Sequence, residues 1–149
     1  MLANKLLKHI IQIFIAALFG LIATHVAAVA QATVSVSEVR VGVHTNYTRF
    51  VIESSKPLPY SAFTLSTPSR VVIDLPEVNW QAGLVKNRGL IAGLRYGLFQ
   101  PGVSRIVIDA KKPIEILKHF RLAPSGSEGN RLVFDIAIAN ADTKAEKAV

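Results

Sequence analysis

Cysteine is absent from this sequence of 149 residues, and tryptophan and methionine each occur once. Without cysteine there can be neither a disulfide framework nor a thiolate metal site. The fold must therefore be stabilised by burial of apolar side chains. A domain of about 100 residues can bury enough apolar surface for this without covalent cross-links.

Residues that usually carry catalysis are also scarce. Two of the four histidines lie near the amino terminus, and the other two, His44 and His119, are far apart in the chain and in no H-E-x-x-H motif. Ser104 and Ser125 lie in no G-x-S-x-G motif, and no phosphate-binding loop is visible. The sequence predicts a non-catalytic protein without a metal site or a cofactor.

The only long apolar run is at the amino terminus. Lys5 and Lys8 precede an apolar stretch over residues 10–23, and small residues follow it, with two A-x-A patterns within residues 28–32. This order is typical of a cleavable signal peptide. We therefore predict a signal peptide over residues 1–32, with cleavage after Ala30 and cleavage after Ala32 both left open.

The alternative for this segment is a membrane anchor. A spanning helix needs roughly 20 apolar residues, and the run is shorter and interrupted by Gln12 and Gly20. We expect export to the periplasm with no membrane span left after cleavage.

From Thr33 onward the chain has 15 Lys and Arg against 10 Asp and Glu. Because export removes nucleic acid from reach, the expected partners are anionic envelope polymers, stem-peptide carboxylates and lipid head groups.

From Val34 to Ile138 apolar and polar residues alternate, which is the period of β-strands. Prolines fall between the alternating runs, where they suit turns. The pattern predicts an all-β domain over residues 33–139. The strands are expected at 34–43, 48–54, 59–66, 69–75, 90–97, 103–110, 114–122 and 130–138. The alternative is an α+β domain with a helix within residues 82–98.

The strands belong to an internal duplication. Four successive blocks of the first half recur in the second, among them Arg40 as Arg95, Arg49 as Arg105, and Arg70 as Arg131. Each half supplies four strands, and a single sheet cannot bury its own apolar face. We predict a sandwich of two related four-stranded sheets, with residues 39–75 forming one and residues 94–136 the other. The expected core includes Ile52, Ile73, Ile108 and Phe134.

Arginine, valine and an acidic residue alternate on the outward face of the repeated strands. The arginines are Arg49, Arg70, Arg105 and Arg131, and the matching acids are Glu53, Asp74, Asp109 and Asp135. If these strands are antiparallel neighbours, arginine and acid form cross-strand ion pairs. A guanidinium group is also suited to carboxylates and phosphates of a ligand. The two interpretations are compatible, and the four arginines are candidate ligand-binding residues.

Two aromatic residues follow predicted strands and are expected in loops. Tyr47 and Trp80 each come directly after an asparagine. Aromatic rings beside amide groups are common in sugar sites, but a tryptophan in such a loop can instead plug the end of a sandwich. Both residues are retained as candidate ligand contacts.

Three stretches carry a resemblance to a known family: TRFVIE from Thr48, SRVVIDLPEVNW from Ser69, and RGLIAGLRYGLFQPGVSRIVID from Arg88. The sequence resembles the AMIN domain, the non-catalytic module of periplasmic N-acetylmuramoyl-L-alanine amidases. The resemblance covers roughly residues 34–138. It implies a two-sheet sandwich that binds peptidoglycan and delivers a zinc amidase domain to the division septum, for cell-wall remodelling and daughter-cell separation.

The resemblance leaves several points open. Similar modules occur in secretin systems, so docking to envelope or divisome proteins is the alternative function. The zinc ligands of such an amidase belong to a domain outside these residues, so no catalytic residue is transferred. Residues 140–149 are expected to begin a disordered linker. A truncated amidase and a free-standing module both fit the sequence.

Overall fold

A computed structural model describes residues 33–83 and 85–140 of the chain. The predicted signal peptide, and residues 141–149 of the linker predicted over residues 140–149, lie outside this range. Within it, all regular structure is β-strand, which confirms the all-β prediction. The alternative prediction, an α+β domain with a helix within residues 82–98, is wrong. The described residues contain no helix with the length and hydropathy required to cross a membrane.

Ten strands form two five-stranded sheets. Sheet 1 has the order β5-β1-β2-β10-β9, and sheet 2 has the order β3-β4-β8-β7-β6. The strands are β1 (Val34–Val43), β2 (Thr48–Ser54), β3 (Ser61–Ser66), β4 (Ser69–Pro76), β5 (Val78–Trp80), β6 (Lys86–Arg88), β7 (Ile91–Gln100), β8 (Val103–Ala110), β9 (Ile114–Leu122) and β10 (Asn130–Ile138).

Eight of these strands match the predicted ones, and two short strands come from the connection after β4. The strand β5 pairs in parallel with β1, and β6 pairs antiparallel with β7. Each adds three residues to one edge of a sheet. Each predicted four-stranded sheet therefore has a fifth strand. Both extra strands come from the connection after β4, whose residues show no sustained alternation between apolar and polar.

The repeats are divided between the sheets differently from the prediction. Each half was expected to form its own sheet, but sheet 1 combines β1 and β2 with β9 and β10, and sheet 2 combines β3 and β4 with β7 and β8. The reason is strand pairing: β2 pairs antiparallel with β10, and β4 with β8. Alternation assigns side chains to a face, but it does not specify the neighbouring strand.

The two sheets are nevertheless related by the duplication. When each strand is replaced by its repeat counterpart, β1 by β7, β2 by β8, β10 by β4 and β9 by β3, the order of sheet 1 becomes that of sheet 2. Each residue on the outer face of one sheet therefore has an equivalent position on the outer face of the other.

The core lies between the sheets and draws on both. Ile52, Phe134, Ile73 and Ile108 are 0% exposed, as expected from the alternation. They belong to one cluster of buried apolar residues that spans the two sheets. Burying a large aliphatic or aromatic side chain contributes about 1.5 to 3 kcal/mol each. This burial leaves the repeated arginines on the outer faces.

The turn before β7 links the two sheets. The Leu90 N–H donates to Oγ1 of the buried Thr48 on β2, at 3.0 Å. Gly89 precedes Leu90 with φ of 57°, and a Cβ at this position would lie 2.5 Å from Thr48 Oγ1. Only glycine fits here, because both the backbone conformation and the close approach exclude a side chain.

Candidate ligand-binding surfaces

The outer face of sheet 2 carries a cluster of two arginines on one carboxylate. Arg70 on β4 donates through Nε to Asp109 Oδ1 at 2.8 Å. Arg95 on β7 donates to both oxygens of the same Asp109, at 3.0 Å each. The hydrogen bond from Arg95, supported by that from Arg70, holds the pKa of Asp109 below its ordinary value. Because one carboxylate faces two guanidinium groups, this cluster has an excess of positive charge.

A second pair lies two rows along the same face, beyond the row of Val72 and Val107. Arg105 donates to both oxygens of Asp74, at 2.6 and 2.8 Å. This hydrogen bonding lowers the pKa of Asp74 and raises that of Arg105. The Arg105 guanidinium carbon also lies 3.5 Å from the ring centroid of Phe99 and 6.0 Å from that of Phe63. The Arg105 guanidinium therefore contacts both an acid and an aromatic side chain.

Sheet 1 has the repeat counterpart of this pair. Arg49 donates to both oxygens of Asp135, at 2.7 and 2.9 Å, and Lys118 Nζ lies 3.5 Å from the same carboxylate. Asp135 is only 1% exposed, and the Arg49 hydrogen bond is the main cause that lowers its pKa. The Arg49 guanidinium also lies near the rings of Tyr47 and Phe120, at 5.4 and 5.6 Å.

Arg131 departs from the expected ion pairs. It lies opposite Glu53 in the strand register, but its Nη1 binds Glu128 and its Nη2 donates to the Ala123 carbonyl at 3.3 Å. Its Nε is buried without a hydrogen-bond partner in the described residues. Glu53 instead accepts from the Gly129 N–H at 3.0 Å and lies 3.2 Å from Arg40. Because the segment before β10 supplies these partners, Arg131 does not form the cross-strand ion pair with Glu53.

Two arginines of these surfaces were not among the predicted site residues. Arg40 on β1 approaches Glu53, and its repeat counterpart Arg95 binds Asp109. Their recurrence in the first repeated block was the signal that could have identified them. Each outer face thus has an arginine from the β1 or β7 position in addition to those of the inner strands.

Apolar side chains lie beside both sets of arginines. Phe63 and Leu65 on β3 are 41% and 42% exposed next to the sheet 2 cluster. Phe120 and Leu122 occupy the corresponding rows of β9 on sheet 1. Each outer face therefore combines guanidinium groups with accessible apolar surface. This pairing was not predicted.

The two candidate aromatics lie in separate clusters. Tyr47 is in the turn between β1 and β2, as predicted, and stacks on His44 with ring centroids 4.3 Å apart. Trp80 is not in a loop but in β5, and it stacks on Tyr96 of β7 at 4.2 Å with a 16° interplanar angle. The Trp80 and Tyr96 rings line a cleft of about 250 Å³.

A β-sandwich with arginine-rich outer faces is the class of protein that these observations define, and the described residues contain no group of three or more potential metal ligands among His, Cys, Asp and Glu. The model of the AMIN domain family matches residues 38–136. The chain therefore belongs to the AMIN domain family, as the resemblance implied.

Two relatives share 37% of their aligned residues with this chain. One is an N-acetylmuramoyl-L-alanine amidase AmiC of Escherichia coli O6:H1 strain CFT073, aligned over 124 residues that cover 78% of this chain and 30% of the relative. The other is an N-acetylmuramoyl-L-alanine amidase AmiC of Neisseria meningitidis serogroup B strain MC58, aligned over 100 residues that cover 62% and 24%. The chain spans less than a third of either relative.

Proposed function

We propose that this chain is an exported, periplasmic peptidoglycan-binding module that targets an N-acetylmuramoyl-L-alanine amidase to the division septum. On this proposal, residues 33–139 form the binding domain, residues 1–32 are removed on export, and residues 140–149 begin a linker. The module itself has no catalytic role. Catalysis, with zinc, belongs to an amidase domain outside these residues.

The observation that carries the proposal is the outer face of sheet 2. Arg70 uses only its Nε toward Asp109, and its two Nη groups form no hydrogen bond within the described residues. The Arg70 side chain is 32% exposed and that of Arg95 is 59% exposed, so both can reach a ligand. Peptide stems of peptidoglycan present carboxylates, which guanidinium groups bind through charge-assisted hydrogen bonds.

Sheet 1 supports the same proposal less strongly. Arg49 and Lys118 share Asp135, which again leaves an excess positive charge. Arg131, by contrast, is 16% exposed in its side chain and has both Nη groups engaged with the turn before β10. We therefore expect sheet 2 to bind carboxylates more tightly than sheet 1, although the sheets are related by the repeat.

Co-sedimentation with purified peptidoglycan sacculi tests binding. At low ionic strength the protein should pellet with the sacculi, and the bound fraction should fall as salt is raised toward 1 M, where the screening length is about 3 Å. Protein that stays in the supernatant at low salt would contradict the proposal.

Targeting to the division septum has a separate test. A secreted fluorescent fusion of the chain should concentrate at the division site, and uniform labelling of the envelope would refute targeting.

Strand docking to an envelope protein is the alternative function, and the sheet edges give it less support. The edge strands β3 and β9 leave backbone groups unpaired on one side, which could accept a partner strand. However, β9 has a bulge at Leu117 and carries the exposed Lys118 beside it. Both features discourage edge-to-edge pairing. Recovery of one discrete protein with the chain, in preparations free of peptidoglycan, would favour docking.

A further inference from the structure

The cleft beside Trp80 is chemically different from the outer faces. It lies where the short edge strand β5 of sheet 1 meets β7 and β8 of sheet 2, and its volume is about 250 Å³. This is slightly below the roughly 300 to 1,000 Å³ of sites for drug-sized ligands. The cleft therefore suits one ring-sized unit of a larger molecule.

One wall of the cleft is an aromatic platform. The Trp80 Nε1–H donates to the Ala82 carbonyl at 2.8 Å, so the indole has no donor left for a ligand. Tyr96 stacks on Trp80 and is still 45% exposed. Leu98, 60% exposed, also lines the cleft. Such a surface can pack against the C–H face of a sugar ring.

The other lining groups offer hydrogen bonds without an excess of positive charge. Ser104 Oγ accepts from the Val78 N–H, so its own hydroxyl hydrogen can be donated. Glu77 accepts from the Gly102 N–H through Oε2, and Oε1 has no such bond in the described residues. Arg105 is already neutralised by Asp74. A neutral ligand with hydroxyl and amide groups fits this cleft better than a carboxylate does.

We infer that the Trp80–Tyr96 cleft binds one N-acetylated sugar residue of the glycan strand, while the outer-face arginines bind the peptide stems. This inference rests on the proposed peptidoglycan binding. The two parts of the ligand bind different surfaces because these surfaces differ in charge. The arginine clusters favour the anionic peptide stems, and the cleft favours an uncharged sugar ring.

Trp80 is the only tryptophan of the chain, so its fluorescence reports on the cleft directly. The probe is the β-1,4-linked tetramer of N-acetylglucosamine, which contains sugar rings and no peptide. Titration of the purified protein should give a saturable change in Trp80 emission. Tyr96→Ala should raise the Kd about tenfold, equivalent to about 1.4 kcal/mol.

Two further variants keep the test independent of folding. Leu98→Ala shortens an exposed side chain of the cleft and should raise the Kd by a smaller factor. Leu117→Ala, which shortens a 53% exposed leucine on β9 away from the cleft, should leave the Kd unchanged. A flat titration, or equal Kd values in all variants, would overturn the inference. If sacculi still bind in that case, the proposed function stands and only the cleft assignment is lost.

Discussion

Asp135→Asn should destabilise the fold more than Asp74→Asn, although the two aspartates occupy equivalent positions of the repeat. Each accepts two hydrogen bonds from one arginine, and the exposed Lys118 adds only a longer ion pair of 3.5 Å to Asp135, which contributes little. The difference is burial, because the Asp135 side chain is 1% exposed and that of Asp74 is 23% exposed. The replacement keeps the side-chain volume and removes the charge.

The magnitude follows from this difference in exposure. Breaking a buried ion pair costs about 3 to 5 kcal/mol, whereas exposed pairs contribute about 0 to 1 kcal/mol. Because Arg49 is 32% exposed and can be rehydrated, we expect about 2 to 3 kcal/mol for Asp135→Asn. For Asp74→Asn we expect about 1 kcal/mol. Urea unfolding at pH 7 measures both, with an unchanged denaturant slope as the check on two-state behaviour.

The difference should also depend on pH. Since the Arg49 hydrogen bond lowers the pKa of Asp135 in the folded state, the carboxylate stabilises the fold fully above its unfolded pKa of about 3.9. This contribution is lost as the pH falls through the lower, folded pKa. The wild-type advantage over Asp135→Asn should therefore disappear under strongly acidic conditions. Equal losses for the two variants at pH 7 would refute the reasoning from burial.

Further predictions concern the core, the turn before β7 and the amino terminus. Phe134→Ala should cost about 3 to 5 kcal/mol in urea unfolding, because Phe134 is 0% exposed; an unchanged midpoint would contradict its core assignment. Gly89→Ala should cost more than Gly126→Ala, since the two glycines have φ of 57° and 58° but only Gly89 has Thr48 at 2.5 Å. Equal costs would mean that Thr48 moves aside freely. The mass of the secreted protein should correspond to a start at Gln31 or Thr33; an uncleaved chain would refute the signal peptide.

Strand positions could be predicted from the sequence because each strand has one face in the core and one in solvent. The burial of side chains alternates in this way along β2 and β8. A sustained alternation is absent from β5, which has three residues and exists because its backbone pairs with β1. Sequence alone contains no local signal for such pairing, so Trp80 was placed in a loop.

The partner of each arginine was only partly predictable. The repeat places arginine and acid at matching positions, and Arg49, Arg70 and Arg105 each pair with an aspartate of a neighbouring strand. Arg131 differs because the turn before β10 brings Glu128 and the Ala123 carbonyl to it. Likewise, the stacking of Tyr96 on Trp80 depends on two sheets meeting at an edge. These contacts are set by tertiary packing, which residue spacing does not reveal.

The proposed binding role of the sheet 2 outer face is tested most directly by comparing Arg70→Gln with Arg131→Gln in binding to peptidoglycan sacculi. A hydrogen bond to a charged group contributes about 1.5 to 3 kcal/mol, so Arg70→Gln should weaken binding by about tenfold or more and reduce its salt dependence. Its thermal midpoint should change little, because Arg70 is partly exposed. Arg131→Gln, whose Nη groups are engaged within the fold, should bind nearly as the wild type does. Wild-type affinity in Arg70→Gln would contradict the claim that the outer face of sheet 2 binds the cell-wall polymer.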